Sequence, residues 1–382
     1  MSGVTIAAAL AQRPHVGGHT WFALQYLLGF RQLGWDVLLV DRLEPEMCQD
    51  SSGAPCPPER SQNLEYLAGV MERFGLEDCW TVLLPHGETA GLPRREAERR
   101  VTASECLINV MGYLEDEDLL ALSPLRVFLD IDPGFGQMWR ELGLHDLFAG
   151  HDRFVSVGLN VGRSGCLVPD CGLPWIPTLP PVALDHWPVT QGGTAFTTVA
   201  SWRGPFGPIE YGGHSYGLRV HEFRRFLALP QRAEAQFELA LAIDAAETAD
   251  LERLTAHGWT LVDPRDAAGD PSAYRRFIQL SGAEITVAKG MYVDTRSAWF
   301  SDRSACYLAS GKPVVAEDTG FSAHLPVGEG LISFTTLEEA AAGVEAVVGD
   351  RDRHARAARE IAEEHFEAGR VLGRLVRELG VG

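Results

Sequence analysis

The residues best suited to chemistry fall in one stretch, Lys289 to Phe321. Its centre reads Trp299-Phe300-Ser301-Asp302-Arg303-Ser304, and the apolar-rich Ala305 to Ala309 follows. It closes with Gly311-Lys312-Pro313-Val314-Val315-Ala316 and Glu317-Asp318-Thr319-Gly320-Phe321. A helix that starts at Ser301 or Asp302, both good N-cap types, presents free N–H groups and partial positive charge. Arg303 adds a full charge there, and Ser301 and Ser304 add hydroxyl or N–H donors. That combination suits a diphosphate. Glu317, Asp318, Thr319 and Gly320 form the loop after the next strand, where α/β sheets bind ligands. Their oxygens could hydrogen-bond the hydroxyls of a sugar; an Asp-Thr-Gly turn is the plainer alternative.

The elements that place these groups follow from the same residues. Gly311 ends the helix in a left-handed conformation. Pro313 opens a strand where a missing N–H is tolerated, and Val314 to Ala316 is a run suited to a parallel sheet covered on both faces. Three more cations, Arg203, Arg219 and Lys289, are available in this half.

With 382 residues the chain is too long for one ordinary core, so two domains are expected. A net charge of −19 argues against a nucleic-acid partner, which needs a basic field. A nucleotide needs only a few local cations. No membrane span is visible. The seven scattered cysteines fit reduced thiols in the cytoplasm rather than a disulfide framework. Cys166 and Cys171 lack the spacing of a zinc pair, and no metal site is expected.

Along the chain, Val4–Leu10 reads as a buried strand, Pro14–Gly18 as a glycine-containing loop, Thr20–Leu33 as a helix and Val37–Val40 as a second strand. This is a Rossmann-like start without the G-x-G-x-x-G fingerprint, which weighs against a dinucleotide. Further strands are expected at 81–84, 106–110, 126–132 and 154–158. The proline-rich stretch 167–189 reads as the interdomain connector. The alternation restarts with strands at 196–200, 237–243, 259–262 and 284–287. Ser201–Tyr216 reads as a long loop able to cover a site, and the tail from His354 as one long helix. Asp130-Ile131-Asp132 ends a strand, where residues two apart share a face. The pair could hold a metal, bind an acceptor or support a base, or form an Asp-Pro-Gly turn.

These residues carry a resemblance. Gly311 to Ala316 with Asp318-Thr319-Gly320, and the polar run Ser301 to Ser304 at a helix start, resemble the donor domain of glycosyltransferases of the GT-B fold. Gly17-Gly18 with His19 at a helix start resembles their acceptor domain. The resemblance implies two Rossmann-like parallel-sheet domains facing across a cleft, with the C-terminal helix returning to the first. The divisions would be an acceptor domain at 1–180, a donor domain at 181–360 and the returning helix at 361–382. It implies His19 as catalytic base, supported by Asp132, with Gly17, Gly18 and Asp130 on the acceptor. Arg203, Arg219, Lys289, Ser301, Asp302, Arg303 and Ser304 would hold the donor diphosphate, and Glu317, Asp318, Thr319 and Gly320 the sugar. Two departures stand out. Cys306 occupies the place of a ribose-binding Glu, and Trp202-Arg203-Gly204 with Arg219 replaces the usual phosphate pair. The expected activity is metal-free sugar transfer from a nucleoside diphosphate sugar, a co-substrate rather than a cofactor, to a small molecule. The apolar first half and its tryptophans lean toward an aromatic or lipophilic acceptor. An epimerase or hydrolase of the same fold, or a non-catalytic nucleotide-sugar sensor, are the alternatives.

Overall fold

A computed structural model describes residues 2–204 and 206–382. The first half builds an eight-stranded sheet from β1 (Gly3–Ala7), β2 (Asp36–Arg42), β3 (Trp80–Leu83), β4 (Thr89–Gly91), β5 (Cys106–Val110), β6 (Arg126–Asp130), β7 (Arg153–Ser156) and β8 (Trp175–Pro177). The strand order is β4-β3-β2-β1-β5-β6-β7-β8, and every pairing is parallel except β3 with β4. β1 and β5 are buried at every position, because helices cover both faces of the sheet centre.

The second half contains β9 (Phe196–Ser201), β10 (Ile209–Tyr211), β11 (His214–Tyr216), β12 (Phe237–Ala242), β13 (Thr260–Val262), β14 (Ala283–Thr286), β15 (Val314–Glu317) and β16 (Leu331–Phe334). Six of them form a parallel sheet in the order β13-β12-β9-β14-β15-β16. Two parallel α/β sheets are the expected fold class.

Several local expectations are corrected. The proline-rich connector contributes β8, an edge strand, the position in a sheet where proline is tolerated. The loop after β9 is no free cover. It carries the β10–β11 hairpin, and Phe206 packs against Phe135 and Trp139 of the first half, with ring centroids 5.4 and 4.9 Å away. Strands β4, β10 and β11 are three residues each, too short for a periodic signal.

The tail is not one helix either. Arg351–Ile361 passes into a π turn, Ala362–Phe366, and Glu367 leaves helical geometry before Ala368–Leu379 begins. Val182 of the connector is the cause. Its N–H donates to the Phe366 carbonyl at 2.7 Å and its carbonyl accepts from Ala368 N at 2.9 Å. The Glu367 carboxylate then caps the new helix, accepting from Gly369 N and Arg370 N at 2.8 Å each. The segment 368–379 lies on helix Gly17–Gln32 of the first half. A Cβ at Gly29 would stand 2.6 Å from Leu372 Cδ1, so glycine sets that spacing.

The two halves touch at several points. Trp21 Nε1 donates to the Pro271 carbonyl at 2.7 Å, Leu167 N to Thr295 O at 2.8 Å, and Gly158 pairs with Trp299. Trp21, Trp187 and Trp202 are core residues at 1% exposure or less. No helix among the described residues is long and apolar enough to cross a membrane.

Candidate functional site

Between the halves lies a cavity of about 550 Å³. The second half supplies the end of β9 (Val199 to Ser201), Arg203, Arg219, Ala242 at the end of β12, Arg265, Lys289, and Trp299 to Arg303. The first half supplies His15, Val16, Gly18, His19, Phe22 and Ile131. The site thus sits at the carboxyl ends of parallel strands, as the topology of such sheets favours.

The helix start forms as its residues dictate. Ser301 is extended at φ −71°, ψ 133°, the helix runs Asp302–Ala309, and Gly311 follows at φ +69°. Ser301, Asp302 and Arg303 line the cavity. Arg303 is also a strut of the sheet. Its Nε donates to Glu284 Oε1 at 2.5 Å, Nη2 to Thr286 Oγ1 at 2.6 Å and Nη1 to the Val199 carbonyl at 2.8 Å. Burial disfavours its charge, but the Glu284 carboxylate more than compensates and holds the guanidinium charged. Asp302 is pushed up from the usual carboxylate range by burial.

Arg219 is different. It is 9% exposed, and its Nη1 donates to the Val287 carbonyl. No carboxylate lies within ion-pair distance of it among the described residues. Burial, then the neighbouring Arg303 charge, push its pKa down to about 10. Arg219 thus lacks the close countercharge that Glu284 gives Arg303; the Glu284 and Glu317 carboxylates act on it only from beyond ion-pair distance. Lys289 is answered by Asp132, 2.5 Å away, and Arg203 is ion-paired with Glu247 at the rim. Taken together, the cavity is lined by five cationic side chains, counting Arg265, and one carboxylate, in a chain of net charge −19.

His19 lines the cavity half-buried, and its Nε2, itself out of reach of solvent, meets no hydrogen-bond partner among the described residues. Burial and then the Arg13 charge lower its pKa to about 4, while a hydrogen bond with the Ala9 backbone works the other way. The imidazole is therefore neutral at neutral pH. Gly18 lines the cavity, and a Cβ there would come within 3.0 Å of the Tyr274 ring. Gly17 does not. Its Cα passes against the Asp270 and Ala268 carbonyls, so its glycine serves the contact between halves.

Other expected site residues face elsewhere. β6 ends at Asp130, so the two-residue alternation does not extend to Asp132. Asp130 is 2% exposed and accepts from Gln137 Nε2 at 2.7 Å and Ser156 Oγ at 2.9 Å, behind the cavity rather than in it. Asp132 bonds no histidine; it accepts from Lys289 Nζ and from Tyr292 Oη, both at 2.5 Å. Asp318 caps its own turn, accepting from Gly320 N at 2.8 Å and Ser322 Oγ at 2.5 Å, and Gly320 adopts φ +101° to make that turn. Thr319 Oγ1 donates to the Trp299 carbonyl at 2.6 Å. Glu317 and Ser304 line a separate void of about 10 Å³, where Glu317 Oε1 and Ser304 Oγ have no hydrogen-bond partner among the described residues, although Arg225 Nη1 lies 3.6 Å from Glu317 Oε1. Burial and the facing Glu222 raise Glu317 to about 8.

Among the lining residues able to do polar chemistry, His15, Arg265, Tyr274 and Tyr292 escaped the sequence reading. Arg265 had a usable signal, since it follows the strand-closing Asp263-Pro264 just as Glu317 closes β15. His15 takes φ +61°, which no sequence pattern marks.

No family model and no curated protein matches the sequence. Solved structures match along the whole chain. An alpha-glucosyltransferase in complex with UDP-glucose and DNA containing an abasic site aligns at TM-score 0.59 and 14% identity, covering 99% of this chain and 98% of that one. Anabaena Alr3699/HepE in complex with UDP and glucose aligns at TM-score 0.59 and 10% identity over 100% of both chains. AviGT4, a glycosyltransferase involved in Avilamycin A biosynthesis, aligns at TM-score 0.56 and 14% identity over 98% of this chain and 96% of that one. The chain therefore has the two-domain GT-B fold of these glycosyltransferases. One expectation falls here. The net charge of −19 argues against nucleic acid, yet a protein of this fold was solved on DNA. Net charge is a whole-chain sum and does not describe one face of a molecule.

Proposed function

We propose that this protein is a glycosyltransferase that takes a sugar from a nucleoside diphosphate donor bound in the cationic cavity. One observation carries the reading: Arg219 is buried, has no carboxylate partner among the described residues, and stands in the field of Arg303. A diphosphate placed there would supply the missing countercharge. The neighbours of the same fold solved with UDP support that choice of anion.

On this reading Arg219, Arg303 and Lys289, with the N–H groups at the start of helix Asp302–Ala309, stabilise the charge that builds on the leaving diphosphate. Cations and a helix start can do this without a metal, and we propose metal independence. His19, neutral and with Nε2 unengaged, accepts the hydrogen of the attacking hydroxyl. Phe22, Ile131, Val157 and Phe300 make the apolar part of the wall that keeps water from the reacting carbon. The acceptor is proposed to be a small hydroxylated molecule, with DNA kept among the acceptors to be assayed because of the neighbour solved on it.

The test is a melting-temperature panel of UDP, other nucleoside diphosphates and their sugars, with and without chelator. A ligand of the folded state at about a hundred times its Kd adds about 2.7 kcal/mol of stability. The reading stands if a nucleoside diphosphate raises Tm in chelator and Arg219→Ala abolishes the rise. It fails if no member of the panel shifts the wild-type protein.

A further inference from the structure

A second cavity, of about 960 Å³, opens beside the first and shares His15 and Arg265 with it. We propose that this outer groove seats an uncharged, polyhydroxylated acceptor, a saccharide. The proposal rests on the donor reading of the inner cavity.

Charge separates the two cavities. The inner one has cations in excess. In the outer one Arg73 lies 3.4 Å from Asp270, and Glu65 and Arg265 add one charge of each sign. The groove is balanced, so it holds no uncancelled field for an anionic ligand. Its remaining polar groups are the amides of Gln49 and Gln62 and the hydroxyls of Ser51, Ser52 and Tyr66. These both donate and accept, which is what a polyol requires of its site. One wall is aromatic: the rings of His15 and Tyr66 stand 4.9 Å apart, and His15 Nε2 lies 3.1 Å from Gln62 Oε1. Such a wall offers a sugar ring an apolar face beside hydrogen-bonding groups.

His15 is the junction. It lines both cavities and is held in the left-handed region at φ +61°, a conformation rarely kept without cause. A saccharide against Tyr66 can present one hydroxyl past His15 to the inner cavity. In transfer, that oxygen bonds to the anomeric carbon. The bond from this carbon to the diphosphate oxygen breaks, its electron pair leaves with the diphosphate, and the hydroxyl proton passes to His19 Nε2.

Gly69 permits a clean test. It lies in helix Gln62–Arg73 on the groove wall, and a Cβ there would meet nothing within 4 Å. Gly69→Trp therefore fills the groove without touching the core. Glucose, maltose, cellobiose and chitobiose are tested for contact with the wild-type protein by ligand-observed NMR in the presence of UDP, beside a planar aromatic alcohol and a DNA duplex. The expected result is contact from at least one saccharide, reduced more than fivefold in Gly69→Trp, with the UDP-induced Tm shift unchanged. The proposal is overturned if no saccharide makes contact, if contact survives in Gly69→Trp, or if the aromatic alcohol or the duplex occupies the groove instead. Loss of the UDP shift in the wild-type protein would instead remove the donor reading, which separates the two failures.

Discussion

The carboxylate of Asp132, in the first half, lies 2.5 Å from Nζ of Lys289, in the second, and accepts the Tyr292 hydroxyl at 2.5 Å as well. A strand-end acid expected to serve the acceptor side instead ties the halves together and holds a cation at the cavity wall. Lys289 also lies 5.6 Å from the Phe135 ring centroid, so its ammonium is fixed from several sides.

Replacing that acid by its amide keeps the shape and the Tyr292 contact while removing the countercharge of Lys289. Asp132→Asn is expected to tighten nucleoside diphosphate binding a few-fold by calorimetry, because Lys289 no longer has an internal anion to leave. Weaker binding would show that the Asp132–Lys289 pair organises the site rather than competes for it.

Arg303 joins structure to binding, so its simple truncation confuses the two. Arg303→Ala strands the Glu284 carboxylate, 0% exposed, and is expected to cost about 3–5 kcal/mol of stability. The double variant Arg303→Met/Glu284→Met removes both charges and should recover most of it in urea unfolding. Donor affinity should stay low in the double variant if Arg303 also meets the diphosphate.

His19 makes a pH prediction with a definite sign. Its folded pKa of about 4 lies below the ordinary value of 6.5, so the unfolded chain binds the extra proton between these limits. Stability is then lost as pH falls from 6.5 toward 4, by about 3 kcal/mol in all. His19→Gln should flatten that part of the Tm–pH curve. It should also lower turnover by about a hundredfold with donor-induced Tm shifts intact, if the imidazole takes the acceptor proton.

Glu317 has the opposite sign. Burial and Glu222 raise it from 4.5 to about 8, so the folded protein holds a proton that the unfolded chain has released. Its contribution is complete below pH 4.5 and fades as pH rises through 8. Glu317→Gln should leave Tm near wild type at pH 4 and raise it increasingly as pH climbs from 4.5 to 8, with the full gain at pH 9. Equal curves for the two proteins would mean that Glu317 titrates as an ordinary carboxylate.

The amino-acid sequence alone determined most of the longer strands and helices. Runs such as Val314 to Ala316 and Cys106 to Ile108 are apolar without alternation, which suits a sheet covered on both faces, and Gly311 sets the end of helix Asp302–Ala309. These are local properties, written in neighbours a few residues apart. Tertiary structure decided which charges answer one another. Glu284 claims Arg303, Lys289 claims Asp132 from the other half, and Arg219 is left without an acid. It also turned Asp318 to its own turn and broke the tail at Glu367 by bringing Val182 against it. The physical reason is that a side chain's partner is chosen by the packing of elements far apart in the chain, where no spacing rule operates. Burial then decides whether the resulting charge is cancelled or left open to a ligand.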